Sequence, residues 1–592
     1  MRTINAFKFV LRFAWKNNKW YVITIAFAKI IEAVGILAEI YIPKLIIDGL
    51  IEKRDYTEIL ILIGIFCTIL FMVGQIAVWT GCRIWIMQFK LQKKLISLVM
   101  QKTARIDYEY LENPEILDMK KKAEQSYLGN ASEEFFGVIK YFFSIATKVA
   151  TIVGIIALLF SLGFIPVFIL TIIVIFNCWL KAKNIKRNFK LEEESIPYER
   201  RWQYFRDLPL NLKAIKEIKC FNLSLWVVGK FENITDITTN YYGRSFTNTA
   251  KTDAICQISV MVKNLFSYGY VSFLVCMARI SIGSYTMYLS AINKYSSVLQ
   301  EILENILKFS HVGLYIEYLD KYLKLPERIL RNGERRIALN EQGFDIEFKN
   351  VSFRYANNEH YALKNINLKI HNQEHISIVG ENGAGKTTLI KLLCRLYLPT
   401  EGVITLNGID IQEYALEEYI SIIAPVFQDF HLFSMSVKEN IALDREFDEQ
   451  RANQSFQLAA LGYMPEKYQD FYNREVTKLF AEDGLNLSGG EQQKFSIARS
   501  LYCKDRYIVI LDEPTAALDP RSEAEIYQTI DKLVGGKMSI FISHRLSSCR
   551  FCDRVVVLSK GELVEVGTHE ELMDKKGMYY ELFELQAKNY RD

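Results

Sequence analysis

Long apolar runs dominate the first half of the chain, and six of them reach or approach the length needed to cross a bilayer as a helix, about 20 residues. Their predicted positions are Trp20–Ile42, Ile59–Ile84, Tyr141–Leu162, Pro166–Leu180, Ala254–Met277 and Ser284–Ile306. The fourth run is shorter than the others. The pattern therefore predicts six membrane-spanning helices in this half.

The residues before the first run mix aromatic and basic side chains, as in Phe7-Lys8-Phe9. This mixture predicts a short amphipathic elbow helix over residues 1–19, lying on an anionic membrane face. A solvated N-terminal helix is the alternative. We expect residues 20–325 to form a transmembrane domain with short cytoplasmic helices between some of its spans, residues 326–343 a linker, and residues 344–592 a second domain.

Two of the connections between apolar runs are predicted to be long loops, and both are rich in basic residues. They contain Lys90, Lys93, Lys94, Lys120, Lys121 and Lys122, and then Lys183, Lys186, Arg187, Arg200 and Arg201. Because basic loops stay on the cytoplasmic side, both termini are predicted to be cytoplasmic. An even number of spans agrees with this orientation and puts the second domain in the cytoplasm.

From Phe344 onward, short apolar strands alternate with amphipathic helices, which is typical of an α/β domain. Within it, residues 380–387 have the sequence GENGAGKT and fit G-x-x-x-x-G-K-[ST]. An apolar strand, His375–Val379, precedes this loop and a helical pattern follows it. Such a loop wraps phosphates with backbone N–H groups at a helix N-terminus. The predicted contacts are Gly380, Glu381, Asn382, Gly383, Ala384, Gly385, Lys386, Thr387 and Thr388.

The loop predicts a nucleoside triphosphate site with Mg²⁺. Lys386 would reach the β- and γ-phosphates, and the Thr387 hydroxyl would bind the metal ion. A chance glycine turn before a helix is the alternative. The strand, loop and helix occur in the required order, which favours the phosphate site.

A second apolar strand, Arg506–Leu511, ends in two acids. A continuous apolar run is typical of a buried parallel strand, and ligands of open α/β sheets bind beyond the carboxyl ends of such strands. Asp512 is therefore predicted to hold Mg²⁺ through water, and Glu513 to polarise the attacking water. A purely structural role for the two acids is the alternative.

Between these stretches lies a third anion-binding pattern, LNLSGGEQQ at residues 485–493. Ser488, Gly489 and Gly490 expose backbone amides at the predicted start of a helix, which favours an anion there. A single nucleotide site within one chain needs only one such cradle, and the phosphate loop already supplies it. The second cradle is therefore expected to face the nucleotide of another copy.

Together these motifs resemble the ATPase of ATP-binding cassette (ABC) transporters. The resemblance implies further site residues. Gln428 fits the Q-loop, which binds Mg²⁺ and links to the membrane domain. Asp519 fits the D-loop, with Ala516 where serine is commoner. His544 fits the switch histidine that contacts the γ-phosphate, and Tyr355 the aromatic residue that stacks on adenine.

The membrane half resembles the exporter type of this family, in which six spans precede one ATPase. The resemblance implies a type IV exporter fold: a membrane α-helical domain followed by an α/β P-loop ATPase domain with a helical subdomain. Glu112–Gln125 is similar to the first coupling helix of the family, and Lys216–Lys219 with Phe221 to the second. Ile280–Gly283 is similar to its outer turn.

These features predict an ATP-driven exporter in a bacterial cytoplasmic membrane, built from two copies of this chain or from this chain and a related half-transporter. The expected substrate is a peptide or an amphipathic compound. A lipid flippase, a multidrug exporter and a regulatory or channel-type member remain alternatives. A net charge of +4 gives no case for nucleic acid as a partner, and the spans disfavour a soluble cassette ATPase acting on DNA or ribosomes.

Charged residues also occur within the predicted spans. Lys29, Glu32, Lys148 and Lys294 all lie inside apolar runs, where charges are rare unless they face a cavity or a partner. If they line the substrate path, cations exceed acids and cargo with acidic groups is expected. The alternative is that Lys29 pairs with Glu32 and that the other lysines pair elsewhere or reach the membrane surface.

Overall fold

The computed structural model describes residues 2–127, 132–160, 164–327, 333–337, 343–356, 358–443, 445–503, 506–514, 536–542 and 546–588. Its first half is helical. The helices are α1 (Arg2–Ile51), α2 (Tyr56–Arg105), α3 (Tyr108–Glu112), α4 (Pro114–Tyr127), α5 (Ser132–Leu159), α6 (Phe164–Asp207), α7 (Leu212–Cys220), α8 (Ser224–Cys276) and α9 (Ile282–Leu323).

The chain divides into two compact units. One comprises Met1–Gln101 and Asp118–Lys324, and the other comprises Lys102–Leu117 and Leu325–Asp592. The second unit therefore takes α3 and the end of α2 together with the α/β domain. Within the first unit, α1 bends at Asn18, whose backbone is not helical (φ −160°, ψ 86°).

Five helical segments are long and apolar enough to cross a membrane, counted over the described residues and by length and composition alone. They are Asn5–Ile51, Tyr56–Arg105, Phe135–Leu159, Phe168–Glu192 and Ser224–Cys276. The predicted sixth span lies in α9, which falls below the same measure. The reason is polar content, since α9 contains Lys294, Glu301 and Glu304 along with several serines and tyrosines.

Although α9 is polar, one of its faces forms the centre of the helical core. Met287, Tyr288, Ala291, Ile292 and Tyr295 are buried there, against residues of α1, α5, α6 and α8. Because this face of α9 packs against other helices, α9 can lie in the membrane domain without being apolar at every position. The α2 helix is the opposite case, because few residues of its apolar stretch are buried and side chains such as Phe71 and Trp79 are exposed. Such a surface suits lipid or another apolar partner.

The two connections predicted as long basic loops are instead largely helical. Lys90, Lys93 and Lys94 lie on α2, which continues without a break to Arg105. The second set of basic residues lies on α6, which continues to Asp207. Lys, Arg, Gln and Glu are good helix formers, so a loss of apolar character ends the membrane span without ending the helix.

The charges inside the predicted spans are paired. Lys29 contacts Glu32, Lys148 contacts Glu301, and Lys294 lies 2.5 Å from Glu39. Lys148 also lies 3.7 Å from Glu32. Each of the three lysines therefore has a carboxylate partner, and three cations face three acids. The excess of cations on which a preference for acidic cargo depended is not found among these residues.

The second half contains two sheets. The strands of the first run in the order β2-β1-β4-β5 and are antiparallel, and those of the second run in the order β10-β9-β3-β8-β7-β6. The bounds are β1 (Ile346–Phe353), β2 (Leu363–Ile370), β3 (His375–Val379), β4 (Glu401–Leu406), β5 (Ile409–Asp410), β6 (Ile423–Val426), β7 (Ile508–Asp512), β8 (Met538–Ile542), β9 (Arg554–Ser559) and β10 (Glu562–Gly567).

The described helices of this half that follow the strand β3 have 4 to 14 residues each. They are Lys386–Leu393, Leu416–Ser421, Val437–Ala442, Glu449–Leu458, Met464–Lys467, Gly489–Tyr502, His569–Lys575 and Met578–Lys588. Both faces of the central strands are covered. Ile508 and Ile510 of β7 belong to one apolar core, and Val509 and Leu511 belong to a second core that also contains the helices Glu449–Leu458 and Gly489–Tyr502. Burial on both sides explains why β7 is apolar at every position before Asp512.

Candidate nucleotide site

The strands β3, β8, β7 and β6 run parallel and end at one edge of the six-stranded sheet. The phosphate loop follows β3, Asp512 ends β7, and Gln428 comes two residues after β6. Parallel strands bring their carboxyl ends to the same edge, where α/β sheets bind ligands. The order of the strands thus brings three motifs together that are far apart along the chain.

The phosphate loop has a backbone that requires glycine at two tight positions. Gly385 has a φ of +100° and begins the helix Lys386–Leu393, and a Cβ there would lie 2.7 Å from the carbonyl oxygen of Ala362. Gly380 is tighter, because a Cβ would lie 2.2 Å from the carbonyl oxygen of Leu558. Any other residue would push the loop away from its two neighbours, so both glycines fix the shape of the cradle.

Lys386 folds back over the phosphate loop. Its ammonium donates hydrogen bonds to the carbonyl oxygens of Gly380 at 2.8 Å and Glu381 at 2.9 Å. Burial lowers the pKa of Lys386, and the nearby carboxylates of Glu513 and Asp512 oppose that shift. The loop therefore surrounds a positive charge that also faces the acids at the end of β7.

Asp512 is a buried carboxylate with unused hydrogen-bonding capacity. Both of its oxygens are buried, and neither makes a full hydrogen bond to the described residues. Burial raises the pKa of Asp512 to about 6 and the charge of Glu513 adds to the rise, while the nearby Thr387 hydroxyl and Lys386 oppose it. A buried carboxylate whose oxygens lack full hydrogen bonds is stabilised by a nearby cation.

The residues around Asp512 fit Mg²⁺. This ion prefers oxygen ligands and is usually held by one or two carboxylates together with phosphate oxygens and water. Asp512 offers two oxygens with spare capacity, and the Thr387 hydroxyl lies beside it. Two of the three residues predicted from the sequence as metal ligands, Thr387 and Asp512, are therefore neighbours, with donor atoms of the right kind.

We expect Asp512→Asn to abolish the Mg²⁺-dependent part of nucleotide stabilisation. A ligand at about 100 times its Kd raises the free energy of unfolding by about 2.7 kcal/mol. For a domain of this size each kcal/mol raises Tm by about 2–4 °C, so we expect a rise of several degrees. The wild-type Tm should therefore be higher with ATP and Mg²⁺ than with ATP and EDTA. In the variant the two Tm values should coincide.

The matched control is Asp574→Asn, which removes one carboxylate from an exposed position on the helix His569–Lys575. This variant should keep the full difference between Mg²⁺ and EDTA. An unchanged difference in Asp512→Asn would exclude Asp512 from metal binding.

Glu513 is held from three directions. Its side chain accepts a hydrogen bond from the amide of Gln428 at 2.8 Å, its carbonyl oxygen accepts one from Gln493 at 3.0 Å, and its N–H donates to the carbonyl of Ile542 at 2.9 Å. Its backbone is left-handed, with a φ of +50°. Strained positions of this kind persist where the surroundings fix them, often at active sites.

The contact with Gln428 gives that residue a place in the site. Its amide nitrogen donates a hydrogen bond to the carboxylate of Glu513, the predicted general base. Its predicted role as a Mg²⁺ ligand stays a prediction. The hydrogen bond itself was not predicted, since nothing in the local sequence relates residues 428 and 513.

Tyr355 lies beside the helix that follows the phosphate loop. Its hydroxyl shares a hydrogen bond with the Thr388 hydroxyl at 3.0 Å, and its ring packs edge-on against the ring of Tyr397. Tyr355 is only partly buried. A partly exposed aromatic ring close to the phosphate loop can stack on a base, which is the predicted role of Tyr355.

The turn at Ser488 begins the helix Gly489–Tyr502 with a reciprocal capping box. The Ser488 hydroxyl accepts a hydrogen bond from the N–H of Glu491, and the Glu491 carboxylate accepts one from the N–H of Ser488. Burial alone would raise the pKa of Glu491, but its hydrogen bonds with Tyr463 and Ser488 bring it below the usual value. The caps fix the start of the helix, where Gly489 and Gly490 present their amides.

Two predicted site residues, Asp519 and His544, lie outside the described residues. Their roles stay predictions from the sequence. Two other contacts at the site were missed at the sequence level: Gln493, which binds the Glu513 carbonyl, and Tyr463, which binds Glu491. A helical projection of residues 489–502 would have put Gln493 on the buried side, but its partner depends on the fold.

Comparison with known proteins identifies the second half. The ABC transporter family model matches residues 363–516. The chain is 29% identical to the subtilin transport ATP-binding protein SpaT of Bacillus subtilis, over 95% of this chain and 90% of SpaT. It is 26% identical to the nisin transport ATP-binding protein NisT of Lactococcus lactis subsp. lactis, over 98% of this chain and 96% of NisT.

Two further comparisons concern lipid transport and the fold. The chain is 32% identical to the ATP-dependent lipid A-core flippase of Salmonella typhimurium, over 63% of each protein. Among solved structures, a bacterial Atm1-family ABC exporter with ATP bound aligns with a TM-score of 0.79, over 97% of this chain and 98% of that one, at 19% identity. This likeness establishes the fold, which is the predicted type IV exporter fold.

The motif residues at one sheet edge, the matched ATPase domain and the alignments along the whole chain agree. The chain joins an apolar helical region to an ABC ATPase domain, and the apolar helices indicate a membrane protein. The predicted ATP-driven export is confirmed at this level, and so is ATP hydrolysis coupled to transport. This chain carries an ABC transporter ATPase domain, has the fold of an ABC exporter and is homologous along its length to bacterial ABC export proteins.

Proposed function

We propose that two copies of this chain form an exporter that moves a peptide outward across the cytoplasmic membrane, driven by ATP. The choice of a peptide as substrate rests on how much of the chain aligns with two peptide export proteins. SpaT and NisT, which are named for transport of subtilin and nisin, align over 95% and 98% of the chain. These alignments include the membrane helices, where the substrate path of an exporter lies.

The chemistry of the ATPase follows from the chain's own residues. Lys386 and the loop amides bind and orient the phosphates, and Glu513 accepts a proton from the water that attacks the γ-phosphate. Gln428 keeps the Glu513 carboxylate in position through its 2.8 Å hydrogen bond. Mg²⁺, held by Thr387 and Asp512, would neutralise charge that develops on the phosphates.

The proposal includes a homodimer, because one chain supplies one phosphate loop and one Ser488 turn. In a head-to-tail pair, ATP would lie between Lys386 of one subunit and the turn at residues 488–490 of the other. Closing two such sites would draw the ATPase domains together and switch the membrane helices between two states. A related half-transporter could take the place of the second copy.

The proposed orientation puts both termini and the ATPase in the cytoplasm. It rests on the excess of Lys and Arg in the segments that leave the membrane on that side, including the ends of α2 and α6. ATP is then available to the site from the cytoplasm.

Lipid or drug export is the second candidate, and a specific observation favours it. The lipid A-core flippase of Salmonella typhimurium has the higher identity, 32%, although it aligns over only 63% of this chain. A channel-type or regulatory member is disfavoured by Glu513, since a complete hydrolytic site is not needed for gating alone.

The test is reconstitution of the purified chain in proteoliposomes with ATP and Mg²⁺. Small bacterial peptides and fluorescent lipids are supplied in parallel, and both ATP hydrolysis and movement of cargo are measured. We expect selected peptides to stimulate hydrolysis and to cross the membrane only with ATP. Glu513→Gln provides the control without turnover.

Transport of lipid with no peptide response would favour the flippase. Hydrolysis stimulated by a compound that never crosses the membrane would contradict export. Conductance without hydrolysis would favour a channel.

A further inference from the structure

The helices α6 and α8 enclose a basic groove, a cavity of about 580 Å³ in the helical unit. Its polar lining side chains are Arg187 of α6 and Asn240, Arg244, Thr247, Asn248 and Lys251 of α8. No acidic residue is among the described residues that line it. The basic groove therefore carries three positive charges and no negative charge on its described walls.

A polar seam between the two helices fixes the walls of the basic groove. The Thr249 hydroxyl accepts a hydrogen bond from the side-chain amide of Asn188 at 3.0 Å and donates one to the carbonyl oxygen of Ser245 at 3.0 Å. Along α8 the lining residues recur every three or four positions, which places them on one face of the helix. Because Asn188 follows Arg187 and Ser245 follows Arg244, the seam holds these two cations on opposite walls.

The three cations of the basic groove lack a partner within the part of the chain that the structure describes. There, none of them makes a hydrogen bond, an ion pair or a ring contact, and their side chains are exposed. By contrast, Lys181 on the same helix α6 lies 2.8 Å from Glu304. The sequence explains the difference, since residues 181–191 and 237–252 contain five and two basic residues, respectively, and no acidic residue. The basic groove can therefore accept an anion from outside the chain.

The basic groove lies just beyond the predicted spans. Arg187 lies seven residues after the predicted end of the fourth span, and Lys251 lies three residues before the predicted start of the fifth. At about 1.5 Å per residue, they lie about 10 Å and about 5 Å from the span ends. The headgroup layer is about 5–8 Å thick on each side of a bilayer. In the proposed orientation, the basic groove thus opens at the headgroups of the cytoplasmic leaflet.

An exposed apolar face continues from the basic groove toward the membrane. Ile255, Ile258 and Val262 follow Lys251 at spacings of four, seven and eleven residues, so they share its face of α8. All three side chains are exposed. On α6, Trp179 is also exposed at the end of the fourth span, where aromatic side chains are typical of a membrane interface. One ligand could thus contact cations with its polar end and apolar side chains with the rest.

We propose that the basic groove binds the phosphate of an anionic phospholipid from the cytoplasmic leaflet. The guanidinium groups of Arg187 and Arg244 can each donate paired hydrogen bonds to phosphate oxygens. Basic pockets between membrane helices on the cytoplasmic side suit anionic headgroups in charge and position. A zwitterionic headgroup carries its own cation, which the three basic residues would repel. The bound lipid is not the transported cargo, so the inference does not depend on what the exporter carries.

The test measures binding of tritiated phosphatidylglycerol to the purified full chain, held on scintillation beads in an uncharged detergent. Phosphatidylcholine with the same acyl chains and inorganic phosphate are the competitors. We expect phosphatidylcholine to compete at least about tenfold less well than unlabelled phosphatidylglycerol, because each cation near an anionic headgroup contributes about fivefold in affinity. Inorganic phosphate should also compete at least about tenfold less well, because it has no acyl chains to bury.

The decisive variant combines Arg187→Gln with Arg244→Gln. It should bind phosphatidylglycerol at least about tenfold more weakly, because hydrogen bonds to two charged groups are lost. The matched control combines Lys186→Gln with Lys190→Gln, which removes two exposed cations from α6 that do not line the basic groove. At about 0.15 M ionic strength, where the Debye length is about 8 Å, the control should lose less than about twofold.

A second variant adds an acid and leaves every cation in place. Asn240→Asp puts a carboxylate one helical turn from Arg244, where it competes with phosphate for the guanidinium. It should weaken phosphatidylglycerol binding at least about threefold, since a negative charge is added beside the bound headgroup. Because residue 240 is exposed on α8, this change should not disturb packing.

Equal losses in the two double variants would overturn the proposal, because they would show general attraction to a basic surface. Equal competition by phosphatidylcholine, or an unchanged affinity in Asn240→Asp, would overturn it as well. Inorganic phosphate that competes as well as phosphatidylglycerol would overturn the assignment to a lipid and indicate a free phosphate instead.

Discussion

Glu513→Gln should bind ATP with near wild-type affinity and lose at least about 10²-fold in turnover. The acid lies beyond the end of β7, its side chain is held by Gln428, and its backbone by Ile542 and Gln493. Replacing the carboxylate by an amide keeps the shape and removes the proton acceptor, and general-base catalysis contributes about 10²–10⁴-fold. Steady-state ATPase activity and binding of ATP under the same conditions check both parts.

The control is Glu466→Gln, which makes the same change at an exposed site on the short helix Met464–Lys467. It should hydrolyse ATP at the wild-type rate. Turnover of Glu513→Gln within a few-fold of wild type would remove Glu513 from the role of base. Loss of ATP binding in this variant would instead indicate a structural role.

The second large effect concerns the pairing of subunits. Consider a head-to-tail dimer in which the first subunit has Lys386→Ala and the second has Ser488→Arg. One complete site remains in this dimer, formed by Lys386 of the second subunit and Ser488 of the first. With both changes in one subunit and a wild-type partner, each of the two sites is damaged. We expect the first mixed dimer to hydrolyse ATP and the second to be at least about 10²-fold slower, since loss of one electrostatic contact in a catalytic site costs about 10²–10³-fold.

The two mixed dimers contain the same substitutions in the same number, so they serve as controls for each other. They can be isolated with different affinity tags on the two subunits and assayed for ATP hydrolysis. If each chain formed a complete site by itself, the order of activity would be reversed. Equal activity would argue that Ser488 does not contribute to hydrolysis.

The sequence located the ATPase strands well because they are buried on both faces. His375–Val379 and Arg506–Leu511 were predicted to be strands, and they correspond to β3 and β7 (Ile508–Asp512). A continuous apolar run of about five residues is too short for a buried helix and matches the length of a core strand. The phosphate loop and Asp512 were found because their chemistry requires certain residues in a fixed order.

The pattern of residues along the chain did not predict how long the helices are or which charged residues pair. A basic segment is compatible with a loop or a helix equally well, so the extension of α2 to Arg105 was missed. Likewise Lys148 and Glu301 are distant along the chain, and no local pattern relates them. With the pairs Lys29–Glu32 and Lys294–Glu39, their contact balances the positive charge that was expected to be in excess.

The sequence by itself located the elements that carry the predicted chemistry: the phosphate loop, the two acids at the end of the β7 run, the turn at Ser488 and the apolar runs. Each depends on neighbouring residues and on short-range periodicity. Only the tertiary structure decided which side chains meet, as Gln428 meets Glu513 and Glu112 meets Tyr397. The physical reason is that such contacts join residues separated by 85 and 285 positions, and the order of strands and the packing of helices bring them together.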